Sequence, residues 1–508
     1  MTKAEYLLGI DNGCTVSKAA LFDLEGHEIQ VASQVIDLDC PHPGWTERGM
    51  EGIWQTTSHA IRETIDKAGI NPGDIVGIGT AGHGNGMYLL DRAGQPLRAG
   101  IVSTDTRAAD IVGDWYHSGR HERAFPYTLQ SFWPAQPNAL LAWLKRAEPD
   151  NYARVGSVLL IKDYAKYCLT GVASTDWTDM SATSLMDSPR QSYSADLLAI
   201  FDIPEVLCAL PPAAQSFDII GKVTPRAARA TGLVAGTPVV GGMIDIAASA
   251  LGTGVFKPGQ ASIVCGSWSI NQIVTAEPLA APHIFMTIPY TVPGLWLTVE
   301  ASATSASNLE WFVKQFCAEE RAEAQRRGVS VYEVCNEQVE SLPPGSTSVL
   351  FHPFLFGSNV QPTARAGFYG LAGWHTRAHL LRSLYEGVVY GHLNHVENLR
   401  DLGARMDMVR LSGGGSRSRV WTQIFADTLQ VPIEVADGSE LGARGAAMSA
   451  GIGVGVYRDH ADAVARAVRI VRRHDPNPEA TPTYLARYAE YRRLLEAMQQ
   501  PWEHLSRL

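Results

Sequence analysis

The stretch that decides the fold of this 508-residue chain is YLLGIDNGCTVSKAALFD, residues 6–23. Two apolar runs flank a turn that holds one acid, one glycine and one hydroxyl: Asp11, Gly13 and Thr15. This pattern predicts two strands joined by a polar turn. Such a turn can offer backbone N–H groups and the Thr15 hydroxyl to phosphate oxygens, with Asp11 left to hold Mg²⁺. An ordinary hairpin with a polar turn is the alternative interpretation, and for this segment alone it is the commoner one.

A second copy of the pattern favours the phosphate-binding interpretation over an ordinary hairpin. Residues 261–265, ASIVC, lead into Gly266-Ser267-Trp268-Ser269, and residues 270–274, INQIV, follow. This is again an apolar run, a small hydroxyl-rich turn and an apolar run. Two phosphate-binding hairpins about half a chain apart favour two similar domains that close on one nucleotide.

Composition excludes several classes of protein. A chain of 508 residues exceeds the usual size of one hydrophobic core, so two domains are expected. The net charge of −10 argues against a general nucleic-acid binder or a binder of anionic membranes. The seven cysteines form no Cys-x-x-Cys pair, and no apolar run approaches membrane-spanning length. We therefore expect a reduced, cytoplasmic protein without a disulfide framework or a zinc site.

The order of the predicted elements indicates an α/β protein. Strands and helices alternate along the first half, and the pattern restarts around residues 252–259. We place the domain boundary there, which gives an N-terminal domain over 1–251 and a C-terminal domain over 252–508. The final predicted helix, 481–498, is amphipathic, so it either packs on its own domain or serves a homodimer.

Asp245 is the strongest candidate for a catalytic residue. It follows the apolar stretch 239–244 and begins a helix rich in Ala and Ser. A carboxylate at that place is either a helix N-cap or a reactive group held in a cleft. The two interpretations are compatible, because a helix N-terminus also keeps a carboxylate ionised and available as a base.

A glycine-rich loop, Ser412-Gly413-Gly414-Gly415-Ser416, follows a predicted strand and opens a helix. That context exposes backbone N–H groups and lets a flat or anionic ligand approach the chain closely. A tight strand-to-helix connection is the plainer interpretation. The chain has neither the Gly-x-Gly-x-x-Gly spacing in this loop nor a P-loop anywhere, so both of those nucleotide motifs are excluded.

Over nearly its whole length the chain resembles the FGGY carbohydrate kinases, of the actin, Hsp70 and sugar-kinase superfamily. The most specific match is the segment 413–435, GGGSRSRVWTQIFADTLQVPIEV, which is close to the family's C-terminal signature. The segments 6–23, 241–245 and 266–269 resemble its first phosphate hairpin, its catalytic segment and its second phosphate motif. Asp163-Tyr164 and Leu169-Thr170-Gly171 resemble its sugar-domain landmarks.

The resemblance implies two ribonuclease-H-like domains, of the actin-like ATPase type, with a catalytic cleft between them. It implies transfer of the ATP γ-phosphate to a sugar hydroxyl with Mg²⁺, a reaction that depends on positioning and charge neutralisation. By this analogy Asp245 is the general base, and Asp11 and Asp245 belong to the metal site. The implied phosphate and adenosine contacts are Gly13, Thr15, Ser267, Gly413, Gly414, Gly415 and Ser418.

The residues at the expected sugar-binding positions differ from those of D-xylulose kinases. The chain has His83-Gly84-Asn85-Gly86 where D-xylulose kinases carry Gln-Met-His-Gly, and it has Ile246 where they have Asn after the catalytic Asp. Residues 300–312 look more like L-xylulose-type kinases, so the expected substrate is a ketopentose or a related short polyol. The expected sugar-binding residues are His83, Asn85, Asp105, Arg107, Asp163 and Asp245, although Asp105 and Arg107 could also form a surface ion pair.

Two other functions share these features. A nucleotide-dependent binding protein, chaperone-like or filament-forming, would need the same paired hairpins, because the fold alone does not determine function. A sugar sensor without strong catalysis is a third interpretation. Asp245 and the sugar-domain landmarks favour the kinase, which would take ATP and a small sugar as partners and neither nucleic acid nor membrane.

Overall fold

The computed structural model describes residues 4–358 and 361–507. The chain forms two compact units, and each is assembled from three separate stretches of sequence. The first unit comprises Met1–Lys257, Val274–Leu297 and Asp437–Arg469. The second comprises Pro258–Ile273, Thr298–Ala436 and Ile470–Leu508.

Up to residue 257 the chain alternates strands and helices, as the sequence predicts. The strands are β1 (Tyr6–Asn12), β2 (Val16–Asp23), β3 (Glu28–Val35), β4 (Glu47–Arg48), β5 (Ile75–Gly82), β6 (Tyr88–Asp91), β7 (Gly100–Ile101), β8 (Val155–Leu159), β9 (Thr175–Asp176), β10 (Met186–Asp187), β11 (Ser192–Tyr193), β12 (Ala213–Ala214), β13 (Ile219–Lys222), β14 (Pro238–Val240) and β15 (Met243–Ile244). The helices are α1 (Met50–Ala68), α2 (Ala109–His117), α3 (Arg120–Thr128), α4 (Pro137–Ala147), α5 (Pro149–Ala153), α6 (Ile161–Thr170), α7 (Trp177–Ser181), α8 (Ala195–Ile200), α9 (Pro225–Thr231) and α10 (Asp245–Gly252).

The rest of the chain repeats the alternation with longer helices. Its strands are β16 (Gln260–Cys265), β17 (Ser269–Thr275), β18 (Met286–Pro289), β19 (Trp296–Ser302), β20 (Leu350–His352), β21 (Gly367–Tyr369), β22 (Met408–Ser412), β23 (Ile433–Ala436) and β24 (Ile470–His474). Its helices are α11 (Ser307–Phe316), α12 (Ala318–Arg327), α13 (Val331–Glu340), α14 (Arg377–Asp401), α15 (Arg419–Leu429), α16 (Leu441–Gly453), α17 (His460–Ala467), α18 (Thr481–Ala497) and α19 (Gln499–Leu505).

The main sheet of the first unit has the strand order β13–β14–β5–β1–β2–β3. Strands β1, β2 and β3 form an antiparallel meander, whereas β5 runs parallel to β1 and β14 runs parallel to β5. The edge strand β13 is antiparallel to β14. The hairpin predicted at residues 6–23 is therefore the centre of this sheet.

The second large sheet has the strand order β18–β19–β17–β16–β22–β23–β24, so it repeats this arrangement and adds the edge strand β18. Its hairpin, β16 with β17, is antiparallel, and β22 and β23 continue it as parallel strands. Strand β24 is antiparallel to β23 at the edge. The prediction of an α/β protein with two similar domains is confirmed, because each hairpin starts a sheet of the same topology.

Small residues let two helices lie unusually close to the first sheet. An ideal Cβ on Gly9 of β1 would lie 1.9 Å from the carbonyl oxygen of Ala443 in α16. A Cβ on Gly445 of α16 would lie 2.0 Å from the carbonyl oxygen of Ala248 in α10. Because no Cβ fits at such distances, glycine is required at both positions. Helix α16 thus covers β1, and α10 packs against α16.

The amphipathic helix α18 buries its apolar face within the second unit. The buried side chains of this helix are Tyr484, Tyr488, Tyr491 and Leu495. The helix packs on α14, α15 and β20, which are elements of the same unit. Of the two interpretations offered for this helix, the packing observed is the one within its own domain. Across residues 4–358 and 361–507 we find no helix whose length and apolar character would let it cross a membrane.

Candidate active site

Asp245 is the first residue of α10 in the first unit. The preceding strand β15 pairs with the end of β5, where Met243 lies opposite Ala81. Ile244 occupies the N-cap position and its backbone is extended, so Asp245 is a residue of the first helical turn rather than the cap itself. The carboxylate therefore lies at a helix N-terminus without the usual capping hydrogen bond, where the helix dipole favours its ionised form.

The surroundings of Asp245 make its carboxyl group a much weaker acid than normal. Burial is the main cause, and the negative charge of Asp11 adds to it. Together they raise the pKa of Asp245 to about 7, although His83 and the backbone N–H of Ile246 act in the opposite direction. A carboxylate with a pKa near neutrality is well matched to accept a proton from a hydroxyl group and later release it.

Asp11 lies near the end of β1, opposite Lys18 of β2 in the hairpin register. Its Oδ1 atom is buried and has no hydrogen-bond partner among the described residues. Burial raises the pKa of Asp11 to about 6, while Lys18 lowers it and Glu440 raises it. Lys18 itself donates to Glu440, with an Nζ–Oε2 distance of 2.8 Å, so its charge is shared between the two acids.

Asp11 and Asp245 suit a cation that takes most of its ligands from water and substrate phosphates. Within the described residues no group of three or more His, Cys, Asp or Glu side chains has the spacing to enclose a metal. Mg²⁺ typically takes one or two carboxylates from the protein and completes its shell with water and substrate phosphates. The orphaned buried oxygen of Asp11, close enough to Asp245 to influence it, fits that pattern.

The turn of each hairpin uses its glycine N–H internally and exposes one hydroxyl side chain. In the first turn Gly13 N–H donates to Val16 O at 3.0 Å, and the side chain of Thr15 is exposed. In the second turn Gly266 N–H donates to Trp268 O at 3.3 Å, and Ser267 is exposed. Each turn is three residues long and exposes one of the predicted hydroxyls, Thr15 as the last residue of the first turn and Ser267 as the middle residue of the second.

His83 and Asn85 lie immediately after β5, in the sheet position next to β1. The His83 ring contacts the Tyr88 hydroxyl through Nε2 and the Gly84 carbonyl through Nδ1, both at 3.1 Å. Asn85 has a left-handed backbone, with φ of 62°, and its buried Oδ1 has no hydrogen-bond partner in the described part of the chain. Strained backbone and an orphaned polar atom together are typical of a ligand-binding residue.

Asp105 and Arg107 form a buried ion pair rather than a surface one. Their side chains have no solvent-exposed area, and Arg107 Nη2 lies 2.8 Å from Asp105 Oδ2. Arg107 also pairs with Glu47 at 2.8 Å and stacks over the ring of Trp45 at 4.0 Å. Asp105 Oδ2 also accepts from the backbone N–H of Thr46 at 2.6 Å, so the pair is fixed in the interior of the first unit.

Asp163 lies within a buried cluster of ionisable side chains from α6, β9 and α7. Its Oδ1 atom accepts from Lys162 Nζ at 2.6 Å and from Lys166 Nζ at 3.2 Å. Its side chain has no exposed area. The sequence indicated Asp163 only through the family landmark and did not reveal the two lysines as its partners.

A cavity of about 620 Å³ lies in the second unit, beside the turn of the second hairpin. This volume is typical of a site for a small molecule or cofactor. Four residues that the sequence predicts as nucleotide contacts line it: Ser267, Gly414, Gly415 and Ser418. The other lining residues come from α11, α13, α14, α15 and the loops around them: Gly266, Ala306, Ser307, Leu309, Glu310, Ser330, Tyr332, Glu333, Asn336, Tyr385, Arg417 and Trp421.

One polar side chain organises the wall of this cavity. Asn336 Oδ1 accepts from the Ser418 hydroxyl at 2.7 Å and from the Tyr385 hydroxyl at 2.9 Å. The Tyr385 ring in turn stacks on Trp421, with 4.3 Å between the ring centroids. Sequence reasoning missed Asn336 and Tyr385, because they come from α13 and α14 and carry no local motif.

The backbone conformation and close packing at position 413 require glycine. Its φ is +80°, and an ideal Cβ would lie 2.6 Å from the carbonyl oxygen of Cys265. Glycine at this position lets the loop after β22 cross the end of β16 at close range. Gly415 is equally constrained, since its Cβ would lie 2.4 Å from Cys265 Sγ, whereas Gly414 has open space around it.

Comparison with known families decides the assignment. Residues 6–252 match the model of the N-terminal domain of the FGGY family of carbohydrate kinases, and residues 261–454 match the model of its C-terminal domain. The chain belongs to the FGGY family of carbohydrate kinases. It is accordingly a sugar phosphotransferase with the two-domain, actin-like fold of that family.

Relatives of this FGGY kinase match it along almost the whole chain. An Escherichia coli K12 protein named L-xylulose/3-keto-L-gulonate kinase is 37% identical over 97% of both chains. A Pasteurella multocida protein named probable L-xylulose kinase is also 37% identical, over 97% of this chain and 99% of its own. Among solved structures, xylulose kinase from Rhodospirillum rubrum aligns with a TM-score of 0.88 and 31% identity, over 98% of this FGGY kinase and 100% of its own chain.

Proposed function

We propose that this FGGY kinase transfers the γ-phosphate of ATP to a hydroxyl of a ketose of the L-xylulose type, with Asp245 as general base. The observation that carries the proposal is the carboxyl of Asp245, placed at the start of α10 and made weakly acidic, with a pKa of about 7. The choice of sugar is supported by the relatives named L-xylulose kinase and by the departures from the D-xylulose kinase pattern at His83 and Asn85.

The proposed chemistry of Asp245 follows from its protonation. Above its pKa the carboxylate accepts a proton from the attacking sugar hydroxyl and so makes that oxygen a better nucleophile. Its place in the first turn of α10 holds it still, because a helix is a more rigid support than a loop. Phosphoryl transfer requires little more of the protein than this positioning and the neutralisation of charge.

We assign the metal-holding role to Asp11, with Asp245 as a second member of that site. Bound Mg²⁺ would neutralise the charge of the nucleotide phosphates. The protein's own part is to keep the carboxylate of Asp11 available, with one oxygen free of other partners. The Lys18–Glu440 pair beside it contributes no net charge.

The nucleotide site in this proposal is the cavity of the second unit. Its stacked Tyr385 and Trp421 and its fixed Asn336 give it the apolar walls and the few oriented polar groups that a purine nucleoside requires. Gly414, Gly415 and Ser418 would face the adenosine, and Gly413 shapes the loop that carries them. Thr15 and Ser267, in the two hairpin turns, would donate to phosphate oxygens, whereas the N–H of Gly13 is bonded to Val16 O and closes the first turn.

For the sugar we assign a direct contact to Asn85, whose buried Oδ1 lacks a partner, and to His83 beside it. Asp105 and Arg107 would shape the wall of this site, because their charges are satisfied by each other and by Glu47. The division of labour, with sugar binding over residues 1–251 and nucleotide binding over 252–508, is part of this proposal.

The experiment is ADP release with ATP and Mg²⁺ across pentuloses, hexuloses, 3-keto-L-gulonate and polyols of four to six carbons, with a no-sugar blank. L-Xylulose and D-xylulose form a matched pair, since they differ only in handedness. We expect L-xylulose or a related ketose to stimulate ADP release far above the blank. A panel without stimulation, with ATP still bound, would overturn the proposal in favour of a nucleotide-dependent binding protein or sugar sensor.

The Asp245→Asn variant tests the role of Asp245 in the same assay. The Asp245→Asn variant keeps the shape of the side chain but removes its basicity, so it should bind ATP normally while turnover falls at least about 10³-fold. Near-normal turnover in this variant would show that Asp245 is not the base.

A further inference from the structure

Five ionisable side chains lie fully buried in the first unit, next to the segment that leads into Asp245. They are Lys162, Asp163, Lys166, Asp176 and Asp179, and none has exposed side-chain area. Burying charges is costly, and well-packed apolar residues often stabilise a core as well or better. A cluster of this size therefore calls for an explanation beyond packing.

Lys162 is the centre of the cluster. Its Nζ lies 2.6 Å from Asp163 Oδ1, 2.9 Å from Asp176 Oδ1 and 3.3 Å from Asp179 Oδ2. Lys166 joins through Asp163, at 3.2 Å. These pairs connect helix α6 to the β9–α7 segment, so the two elements are held as one body.

Two hydrogen bonds connect this cluster to residues 241–244. Lys166 Nζ donates to the carbonyl oxygen of Gly241 at 2.6 Å. At the other end of the segment, Ile244 N–H donates to the Thr178 hydroxyl oxygen at 3.0 Å. Gly241 is thus held by the cluster directly and Ile244 is held through Thr178, and Asp245 is the next residue.

The Thr178 hydroxyl is itself oriented by the cluster. It donates its hydrogen to Asp176 Oδ2 at 2.6 Å, so its oxygen lone pair is what remains for Ile244 N–H. Asp176 is held in place by Lys162 through its other oxygen. A chain of charge-assisted contacts therefore runs from Lys162 through Asp176 and Thr178 to the residue before Asp245.

We propose that Lys166 and Thr178 are positioning residues of this kinase: they fix the backbone of residues 241–244 and thereby the direction of the Asp245 carboxylate. The inference rests on the proposed role of Asp245 as the base. It also gives Asp163 a function that does not require contact with the sugar, because Asp163 holds Lys166. The segment needs such support, since β15 is only two residues long and Gly242 adopts a left-handed φ of +78°.

The test uses the hydroxyl of Thr178, because removing either lysine would leave a buried aspartate unpaired and the protein could fail to fold. Thr178→Val keeps the shape of the side chain and removes both hydrogen bonds. We expect kcat to fall at least about tenfold while KM for ATP and for the sugar change less than about threefold, since small misplacements of a catalytic group slow the chemical step. Thr178→Ser, which retains the hydroxyl, should restore most of the turnover.

Thr183→Val is the matched control. Thr183 is equally buried, and its hydroxyl donates to Met180 O at 2.6 Å without contacting residues 241–245. The melting temperature should fall similarly in both valine variants, whereas kcat should fall only in Thr178→Val. Equal kcat in the two variants would overturn the inference and leave Thr178 a purely structural residue.

A double variant separates this inference from the proposed function. If Thr178 acts through Asp245, then Thr178→Val should not slow the residual turnover of Asp245→Asn any further. If Asp245→Asn retains near-normal turnover, the proposed base is wrong and the inference fails with it. If Asp245→Asn loses turnover but Thr178→Val behaves like Thr183→Val, only the positioning role fails.

Discussion

Burial and, next to it, the negative charge of Asp11 raise the pKa of Asp245 to about 7, so the protonation of Asp245 depends in part on the charge of Asp11. If Asp245 must be ionised to act as the base, kcat/KM for the sugar should fall as the pH drops below about 7. The measurement is kcat/KM between pH 5 and 9 with saturating ATP; a rate that is flat over that range would contradict the assignment.

The ionisation of Asp245 should also change protein stability with pH, which can be measured without an activity assay. The pKa of Asp245 rises from its ordinary 3.8 to about 7 on folding, so the folded state binds the proton more tightly than the unfolded state. Stability therefore falls as the pH rises from about 4 to about 7, because the buried group must ionise. In Asp245→Asn this loss is absent, so without metal the variant should gain several degrees in melting temperature over the wild type at pH 8 and little at pH 4. An equal gain at both pH values would point to a different cause.

Asp11→Ala should change the response to magnesium. If Asp11 holds the cation, the variant should need at least about tenfold more Mg²⁺ for half-maximal turnover, because a small hydrated ion gains much of its affinity from each carboxylate. Asp37→Ala, which alters an exposed acid soon after the same hairpin, is the control and should leave the Mg²⁺ response unchanged. An unchanged response in Asp11→Ala would remove Asp11 from the metal site.

Asn336→Ala should weaken nucleotide binding selectively. The change leaves the hydroxyls of Ser418 and Tyr385 without their shared acceptor and lets the cavity wall relax. We expect KM for ATP to rise about tenfold, roughly the effect of one or two lost hydrogen bonds, with KM for the sugar unchanged. Glu337→Ala, on the same helix but paired with Arg327 at the surface, is the control. A similar change in both variants would contradict a nucleotide role for Asn336.

Glycine substitutions should separate close packing from function. Gly445→Ala places a Cβ about 2.0 Å from a carbonyl oxygen of α10 and should cost at least about 3 kcal/mol of folding free energy, since backbone cannot move aside cheaply. Gly414→Ala meets nothing within 4 Å and should unfold at the wild-type temperature while changing KM for ATP. Thermal melts of both variants test this, and equal losses of stability would refute the packing argument.

The parts of this protein that sequence predicts well are those encoded locally. Both hairpins follow from apolar runs around short polar turns, and the start of α10 follows from an apolar strand that ends in an acid. The resemblance to the FGGY kinases implies that Asp11 and Asp245 act in one reaction, and that role stays a prediction. Each of these signals lies within about twenty consecutive residues.

The parts that sequence did not reveal depend on residues far apart in the chain. Asn336 accepts hydrogen bonds from Tyr385, 49 positions away in the sequence, and from Ser418, 82 positions away. No periodic pattern in the sequence predicts these contacts. The lysines of α6 look like ordinary polar positions of an amphipathic helix, although both are fully buried. Only the fold shows that three aspartates lie next to them.

The path of the chain has a consequence for synthesis. Helix α16, which covers β1 at Gly9, is made of residues 441–453, and most of the second unit precedes it. At typical elongation rates of about 5–20 residues per second, tens of seconds separate the emergence of β1 from the ribosome and that of α16. During that interval the nascent first sheet lacks the helix that covers β1, so the unit whose translation begins first completes its core only after residues 437–469 have been made.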